Sequence, residues 1–395
     1  MFSRSVLAFT ILIAILLSGC VSVKADPLYK VSTKLPDEPG ELISTAQQEA
    51  SPTLPGESGG VTLLYSSRNG LEGQDGGIIP VSGALYRPDG TPPPDGWPIL
   101  LWSHGTVGVA DKCAPSHTGW ADNHLNYINH WLTSGYAVLI SDYQGLGTVG
   151  RHPYMALRPM AYSNLDLLRA VQNSDFDLSG EVFVGGQSQG ASAAIATAIF
   201  AEDYAPEVQL SGVIATGVPF FTEDSLEAVL QQANPEEWHP NVALSLYALS
   251  MAEMVDESFS LKEIVTESAW ADVSKVYEQC VFEYFETTQS AGLSPAKIFQ
   301  KPYLEPMKTA FRQMIYPNLD INVPVFVGTG AQDTITPAQM QHGFVQSACL
   351  SGVEVRSETY DQADHFEALT ASIAGAEAFV NAIRSGQKLP STCPG

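Results

Sequence analysis

Apolar and polar residues alternate along the chain in a pattern that predicts strands and helices in turn. Short apolar or β-branched runs bounded by turn residues indicate buried strands. Between these runs, apolar residues recur at helical spacing, as at 123–132 and 368–383. This succession implies an α/β fold, with a mostly parallel sheet covered by helices on both faces. The predicted strands are 61–65, 78–86, 99–103, 137–141, 181–184, 213–215, 323–327 and 353–360.

One helix has a start signal of its own at Ser163. Asp166 follows Ser163 by three residues, ahead of the apolar Leu168 and Val171. This spacing is typical of a capping box, in which side chains satisfy the first free N–H groups of a helix. We therefore expect a helix that begins at Ser163.

The segment 219–320 differs from the rest of the chain, because its apolar residues recur only at helical spacing, with acidic residues between them. We interpret it as a helical cap inserted between two parts of the core, 61–218 and 321–395. The alternative, that its helices cover one face of the sheet, stays open. The apolar positions are Leu226, Val229, Leu230, Leu246, Leu249, Met251 and Met254.

The N-terminus predicts export. Arg4 precedes an apolar stretch, 6–17, that is too short to span a bilayer, as in a signal peptide. Residues 17–20, Leu-Ser-Gly-Cys, resemble the bacterial lipobox. We expect residues 1–19 to be removed.

Cys20 would then be the first residue of the mature chain and would carry a lipid that anchors the protein to a membrane of the bacterial cell envelope. Val21, rather than Asp, follows the cysteine, which favours the outer membrane. An ordinary secretory signal, in which Cys20 is incidental, is the alternative. Residues 20–60 are rich in Pro, Ser, Glu and Gln, which predicts a flexible tether.

The charge balance narrows the class of partner. The chain has 19 Lys and Arg against 43 Asp and Glu, a formal net charge of −24. Phosphate backbones bind basic surfaces, so we expect no nucleic-acid partner.

Four cysteines remain after Cys20, and an even number in an exported chain predicts two disulfides. No CxxC or HxxxH pair is present, so we expect no metal site. The cysteines are Cys113, Cys280, Cys349 and Cys393.

The strongest local motif is Gly-Gln-Ser-Gln-Gly at 186–190. It follows a predicted strand and precedes an Ala-rich segment of helical character. A nucleophile elbow needs this context, because its glycines allow a sharp turn that places the serine at a helix N-terminus. Ser188 is therefore the predicted nucleophile.

A serine hydroxyl needs a base to remove its proton and a carboxylate to orient that base. Asp333 follows a predicted buried strand, and His365 follows the last predicted strand. The order Ser, Asp, His is typical of α/β-hydrolases. Asp361 or Asp364 could orient His365 instead of Asp333.

Acyl transfer also needs two backbone donors for the developing oxyanion. We predict the N–H of Gln189, directly after the nucleophile, and the N–H of Thr106, in the loop that follows the strand at 99–103. The Thr106 hydroxyl would supply a third bond. With these groups the reaction requires no metal or organic cofactor, and we expect none. Alternatively, His104-Gly105 only forms a tight turn, and the second donor lies one residue away.

Together these residues resemble the secretory lipase family, typified by fungal lipase A and found in many bacteria. The resemblance covers most of 61–393. It rests on the spacing of Asp333 and His365 and on the motifs at 113–116, 135–147, 186–191 and 204–207.

The resemblance implies the α/β-hydrolase fold, a triacylglycerol lipase or carboxylesterase activity with a helical cap over an acyl tunnel, and a triad at Ser188, Asp333 and His365. It also implies disulfides pairing Cys113 with Cys280 and Cys349 with Cys393. Gln189 departs from the fungal pattern, and we expect its longer side chain to narrow the acyl site. The rival functions are another acyl transfer, by a peptidase or polysaccharide deacetylase, and a non-catalytic surface lipoprotein.

Overall fold

The computed structural model describes residues 29–31, 34–48, 54–119, 122–225, 234–388 and 390–393. Within these ranges, nine strands form one sheet in the order β1-β2-β3-β5-β4-β6-β7-β8-β9. The first three strands pair antiparallel, as do β3 and β5, and the pairs from β5 onwards are parallel. The predicted α/β class is confirmed. The strands are β1 Leu42–Gln48, β2 Glu57–Arg68, β3 Ile78–Pro88, β4 Trp97–Ser103, β5 Ala137–Ser141, β6 Leu178–Gln187, β7 Gly212–Thr216, β8 Val325–Gly330 and β9 Val355–Tyr360.

Helices cover both faces of the sheet because the buried strands carry apolar residues on both sides. In β4, Ile99 and Leu101 pack in one apolar cluster, whereas Leu100 and Trp102 pack in another on the opposite face. The helices of the core are α1 Pro115–Thr118, α2 Asp122–Thr133, α3 Leu157–Gln172, α4 Gln189–Tyr204, α11 Ala338–Leu350, α12 Glu367–Ala371 and α13 Ile373–Arg384.

A separate group of helices lies between β7 and β8 in the sequence. Their side chains form a third apolar cluster, which includes Leu246, Leu249 and Met251 and is distinct from the clusters on the two sheet faces. We call this group the cap. Leu226, Val229 and Leu230 of the predicted pattern lie outside the described residues. The cap helices are α5 Pro240–Val255, α6 Leu261–Ile264, α7 Glu267–Val273, α8 Val281–Ser290, α9 Pro295–Ile298 and α10 Leu304–Arg312.

Two sequence predictions are wrong. The proposed tether 20–60 contains β1, which pairs with β2 through backbone hydrogen bonds, and also the first residues of β2. The predicted helix start at Ser163 lies inside α3. Ser163 Oγ donates to the Pro159 carbonyl oxygen at 2.7 Å, and Ser67 Oγ of β2 donates to Asp166 at 2.7 Å. Both polar side chains therefore have partners other than free N–H groups of a helix end.

Two disulfides join parts of the chain that are distant in sequence, and both agree with the pairing that the family resemblance implied. Cys113 pairs with Cys280, 167 residues away, and links the core to the cap. Cys349 pairs with Cys393, 44 residues away, and links the end of α11 to the C-terminal tail.

The N-terminal segment also contacts the core. Tyr29 donates its backbone N–H to the Gly147 carbonyl oxygen at 3.0 Å, and its hydroxyl lies 2.8 Å from Ser116 Oγ. The predicted signal peptide 1–19 and Cys20 lie outside the described residues.

Candidate active site

The turn between β6 and α4 holds Ser188 in a conformation that few non-glycine residues adopt. Its φ is 59° and its ψ is −122°. The flanking glycines are required by space, because a Cβ on Gly186 would lie 2.1 Å from the Gly190 carbonyl oxygen, and a Cβ on Gly190 would lie 1.9 Å from the Ser103 carbonyl oxygen. The close backbone approach thus explains both glycines of the motif and the strained position of the serine between them.

Gln189 begins α4, so its backbone N–H is among those that have no partner inside the helix. Its side chain, however, is buried and turns away from the site, with Nε2 3.2 Å from His152 Nε2. Gln189 is also not among the residues that line the pocket at Ser188. The expectation that this side chain narrows the acyl site is therefore wrong.

Asp333 lies in the loop after β8, and its carboxylate is held by donors from the same loop and from α11. Oδ1 accepts from the N–H groups of Ile335 and Thr336 at 2.9 and 2.8 Å. Oδ2 accepts from Thr336 Oγ1 at 2.8 Å and from Gln341 Nε2 at 3.1 Å. Burial by itself raises the pKa of Asp333, but the hydrogen bond and charge of His365 and the Thr336 donors outweigh it and lower the pKa.

His365 contacts Asp333 rather than the two alternative acids. Its Nδ1 lies 2.7 Å from Asp333 Oδ2. Asp364 instead accepts from the N–H groups of Phe366 and Glu367, at the start of α12. The structure therefore brings Asp333 and His365 together from loops 32 residues apart.

Gln187, directly before the serine, fixes the backbone of the histidine loop. Its Nε2 donates to the His365 carbonyl oxygen at 3.0 Å. Sequence reasoning did not assign a role to Gln187, Thr336 or Gln341. Their proximity to Ser188 and Asp333 in the sequence was the only available signal.

A cavity of about 350 Å³ lies over Ser188. His365, Gly105 and Thr106 line it beside the serine, and most of its remaining wall is apolar. Both the core and the cap contribute to this wall. Its apolar residues are Val107, Leu244, Val281, Phe282, Phe285, Ile335 and Phe366.

The loop after β4 carries Thr106 into this cavity and is attached to the cap. The N–H of Val281, the first residue of α8, donates to the Val107 carbonyl oxygen at 2.8 Å. Gly108 forms an isolated β-bridge with Cys280. The disulfide from Cys280 to Cys113 reinforces this attachment.

The side chain of His104, in the same loop, is packed inside the protein. His104 is buried and stacks on Tyr143, with ring centroids 4.2 Å apart. Its Nδ1 lies 2.7 Å from the Gly105 carbonyl oxygen. Burial lowers the pKa of His104 to about 3, so its ring is neutral at neutral pH.

The comparisons with known proteins agree with this architecture. The family model for secretory lipases matches residues 114–389. The chain belongs to the secretory lipase family. Membership of this family supports a lipase- or esterase-type hydrolase that is exported from the cell.

Solved structures share the fold of this secretory lipase family member at low sequence identity. Candida antarctica lipase A in its closed state is 19% identical, with a TM-score of 0.71, over 90% of this chain and 84% of that one. A ligand-bound form of the rice cell wall degrading esterase LipA from Xanthomonas oryzae is 19% identical, with a TM-score of 0.69, over 89% and 98%. No curated protein sequence matches the chain significantly.

The described parts of this lipase family member contain no helix that is both long and apolar enough to cross a membrane.

Proposed function

We propose that the protein is a serine hydrolase of carboxylic esters, with acylglycerols or related esters as substrates and Ser188, His365 and Asp333 as the catalytic residues. The observation that carries this proposal is the 2.7 Å contact between His365 Nδ1 and Asp333 Oδ2, together with the exposure of Ser188 and His365 to one cavity. With Nδ1–H donated to Asp333, the other ring nitrogen, Nε2, is free to act as a base.

In the proposed reaction, His365 takes the proton of Ser188 while Oγ attacks the ester carbonyl carbon. The N–H groups of Gln189 and Thr106 stabilise the oxyanion. His365 then donates the proton to the leaving alcohol, which departs as the acyl-enzyme forms. Water, activated by the same imidazole, releases the acid and restores Ser188.

The apolar wall of the cavity favours an acyl chain as the group bound there. Phe282, Phe285 and Leu244 come from the cap, and Ile335 and Phe366 from the core. A wall of this kind stabilises a bound hydrocarbon chain by removing it from water, and polar side chains such as Asn123 and His124 form the smaller part of the wall. This supports an esterase over a peptidase.

The proposal is tested on a soluble form that lacks residues 1–20. We expect a fluorophosphonate probe to label the wild type but not Ser188→Ala, and p-nitrophenyl esters to be hydrolysed with a preference among chain lengths. Exclusive cleavage of peptide amides would favour the peptidase alternative. An unlabelled and inactive wild type would favour a non-catalytic surface lipoprotein.

We also propose that Cys20 carries a lipid that anchors the mature protein in the outer membrane. The lipobox-like residues 17–20 support this anchor. Metabolic incorporation of labelled palmitate, lost in Cys20→Ala, is the expected result. Release of the unlabelled wild type into the medium would instead indicate an ordinary secretory signal.

A further inference from the structure

Two hydroxyl groups meet behind the oxyanion end of the cavity. Thr106 lines the cavity, and its Oγ1 lies 2.9 Å from the hydroxyl oxygen of Tyr154. Tyr154 belongs to the loop between β5 and α3 and is only 4% exposed. Distance alone does not decide which hydroxyl is the donor, since each can both donate and accept.

The surroundings of the phenol decide the direction. Within the described residues, Thr106 Oγ1 is the only hydrogen-bond partner of the Tyr154 hydroxyl. Burial raises the pKa of Tyr154, so the phenol keeps its proton. A buried O–H without an acceptor is costly, and therefore Tyr154 donates to Thr106. The proton of Thr106 is then free for an acceptor in the cavity.

The Tyr154 ring is held in place by the cap. Its centroid lies 5.5 Å from that of Tyr247 on α5. The Tyr247 hydroxyl in turn donates to the Gln279 carbonyl oxygen at 3.2 Å, next to the disulfide at Cys280. Because the phenol is fixed, it holds the Thr106 hydroxyl in one orientation. The hydroxyl therefore needs no reorientation when negative charge develops nearby.

We infer that Tyr154 is a positioning residue, which orients the Thr106 hydroxyl, the predicted third donor, toward the carbonyl oxygen of the tetrahedral intermediate. The inference rests on the proposed function, because it assigns a role within acyl transfer at Ser188. As Ser188 Oγ bonds to the carbonyl carbon, the π electrons move to the oxygen. The Thr106 hydroxyl then stabilises that charge by hydrogen bonding and keeps its proton.

The test compares kcat and KM for a p-nitrophenyl ester across single and double variants. We expect Thr106→Val, which keeps the backbone donor, to lower kcat about 100-fold with little change in KM. Tyr154→Phe removes only the phenol oxygen and should lower kcat about 10-fold. Thr106→Ser should retain activity to within about threefold, because it keeps the hydroxyl.

A double variant separates positioning from general stability. Adding Tyr154→Phe to Thr106→Val should lower kcat no further, because the group that Tyr154 orients is already gone. The matched control is Tyr284→Phe, which removes another buried hydroxyl of the cap, bonded to the Val273 carbonyl oxygen. We expect this control to leave kcat unchanged.

Two results would overturn the inference: an unchanged kcat in Tyr154→Phe, or an equal loss from Tyr154→Phe with and without Thr106. A boronic acid that mimics the tetrahedral intermediate gives a second measurement, and its affinity should fall in parallel with kcat. Failure of the proposed function is distinguishable, since Ser188→Ala would then keep full ester hydrolysis or the wild type would show none.

Discussion

The two sides of the cavity are built in different ways. On the proposed acid–base side, Asp333 and His365 are held mainly by groups of the core, through Thr336, Gln341 and Gln187. The cap contributes a hydrogen bond there, from Asn241 to the Ile335 carbonyl oxygen at 3.4 Å. On the proposed oxyanion side, the loop at 105–108 is attached to the cap by a backbone hydrogen bond and an isolated β-bridge. Tyr154, which hydrogen-bonds to Thr106 of this loop, contacts the cap residue Tyr247. A disulfide adds a covalent link at the same place.

Because of this difference, the kinetic effects of damage to the cap and of damage to the core should be separable. Loss of a core contact should impair proton transfer. Loss of a cap contact should leave the base in place and weaken stabilisation of the oxyanion, so that labelling of Ser188 persists while turnover falls. Three variants follow, in order of decreasing expected effect.

The largest effect is expected from Asp333→Asn on the acid–base side. The amide can no longer stabilise an imidazolium or favour the required tautomer of His365, so kcat should fall about 10,000-fold. Steady-state hydrolysis of a p-nitrophenyl ester measures this. Asp364→Asn is the matched control and should retain activity, because an Asn can still accept from the N–H groups at the start of α12. If Asp364→Asn lost more activity than Asp333→Asn, then Asp364 would be the partner of His365.

An intermediate effect is expected when the disulfide on the oxyanion side is removed. Cys113→Ser with Cys280→Ser should lower kcat about 10- to 100-fold, because the loop that carries Thr106 loses its covalent attachment to the cap. The second disulfide offers a matched control. Cys349→Ser with Cys393→Ser should leave kcat unchanged.

Both disulfide variants should lose stability, by about 4 to 5 kcal/mol in the chain-entropy treatment for loops of this length. Urea unfolding at 25 °C separates that loss from the kinetic effect. Equal kcat in the two variants, measured where both are folded, would contradict the proposed dependence of the oxyanion side on the cap.

The smallest effect concerns pH and Asp111, which lies two residues before the bridging Cys113. Its Oδ1 accepts from the Gly147 N–H at 2.9 Å, and burial raises its pKa to about 6. The folded state therefore binds the proton of Asp111 more tightly than the unfolded chain does. The favourable contribution of this protonated form is complete below the ordinary value of 3.8 and is lost as pH rises through about 6.

We accordingly expect Asp111→Asn to raise the free energy of unfolding at pH 7 relative to the wild type, and to change it less at pH 4. Urea unfolding at both pH values measures this, with the exposed Asp361→Asn as control. The contribution of Asp333 to stability should change with pH in the opposite sense. Its lowered pKa makes its contribution complete above 3.8 and lost as pH falls through the folded value. If the free energies of unfolding of Asp111→Asn and the wild type differed by the same amount at both pH values, the raised pKa of Asp111 would be contradicted.

Local sequence rules were sufficient for the buried strands and for the turn at Ser188, because each depends on nearby residues. They failed at Ser163 and Asp166, where partners on other elements override a helix-start signal. They also missed β1, a mostly exposed edge strand that pairs through its backbone and carries little apolar pattern.

The contact of Tyr154 with Thr106 had no signal in the sequence at all. It joins two loops 48 residues apart through hydroxyl groups that occur in no recognisable motif. The same limitation applies to Gln189. Its position beside Ser188 suggested a side chain in the acyl site, whereas its backbone defines the start of α4 and its amide packs near His152.

Tyr29 is attached beside Gly147. If Cys20 is anchored in a bilayer, the residues between Cys20 and Tyr29 therefore limit the distance between the protein and that bilayer. A fully extended chain spans at most about 3.5 Å per residue, so the nine steps from Cys20 to Tyr29 reach about 30 Å. A lipid at Cys20 would therefore hold the protein within about 30 Å of the headgroups, with the surface around Gly147 nearest to them. Ester substrates close to the anchoring membrane would be accessible. Substrates on a neighbouring cell would be accessible only if the two cell envelopes came together.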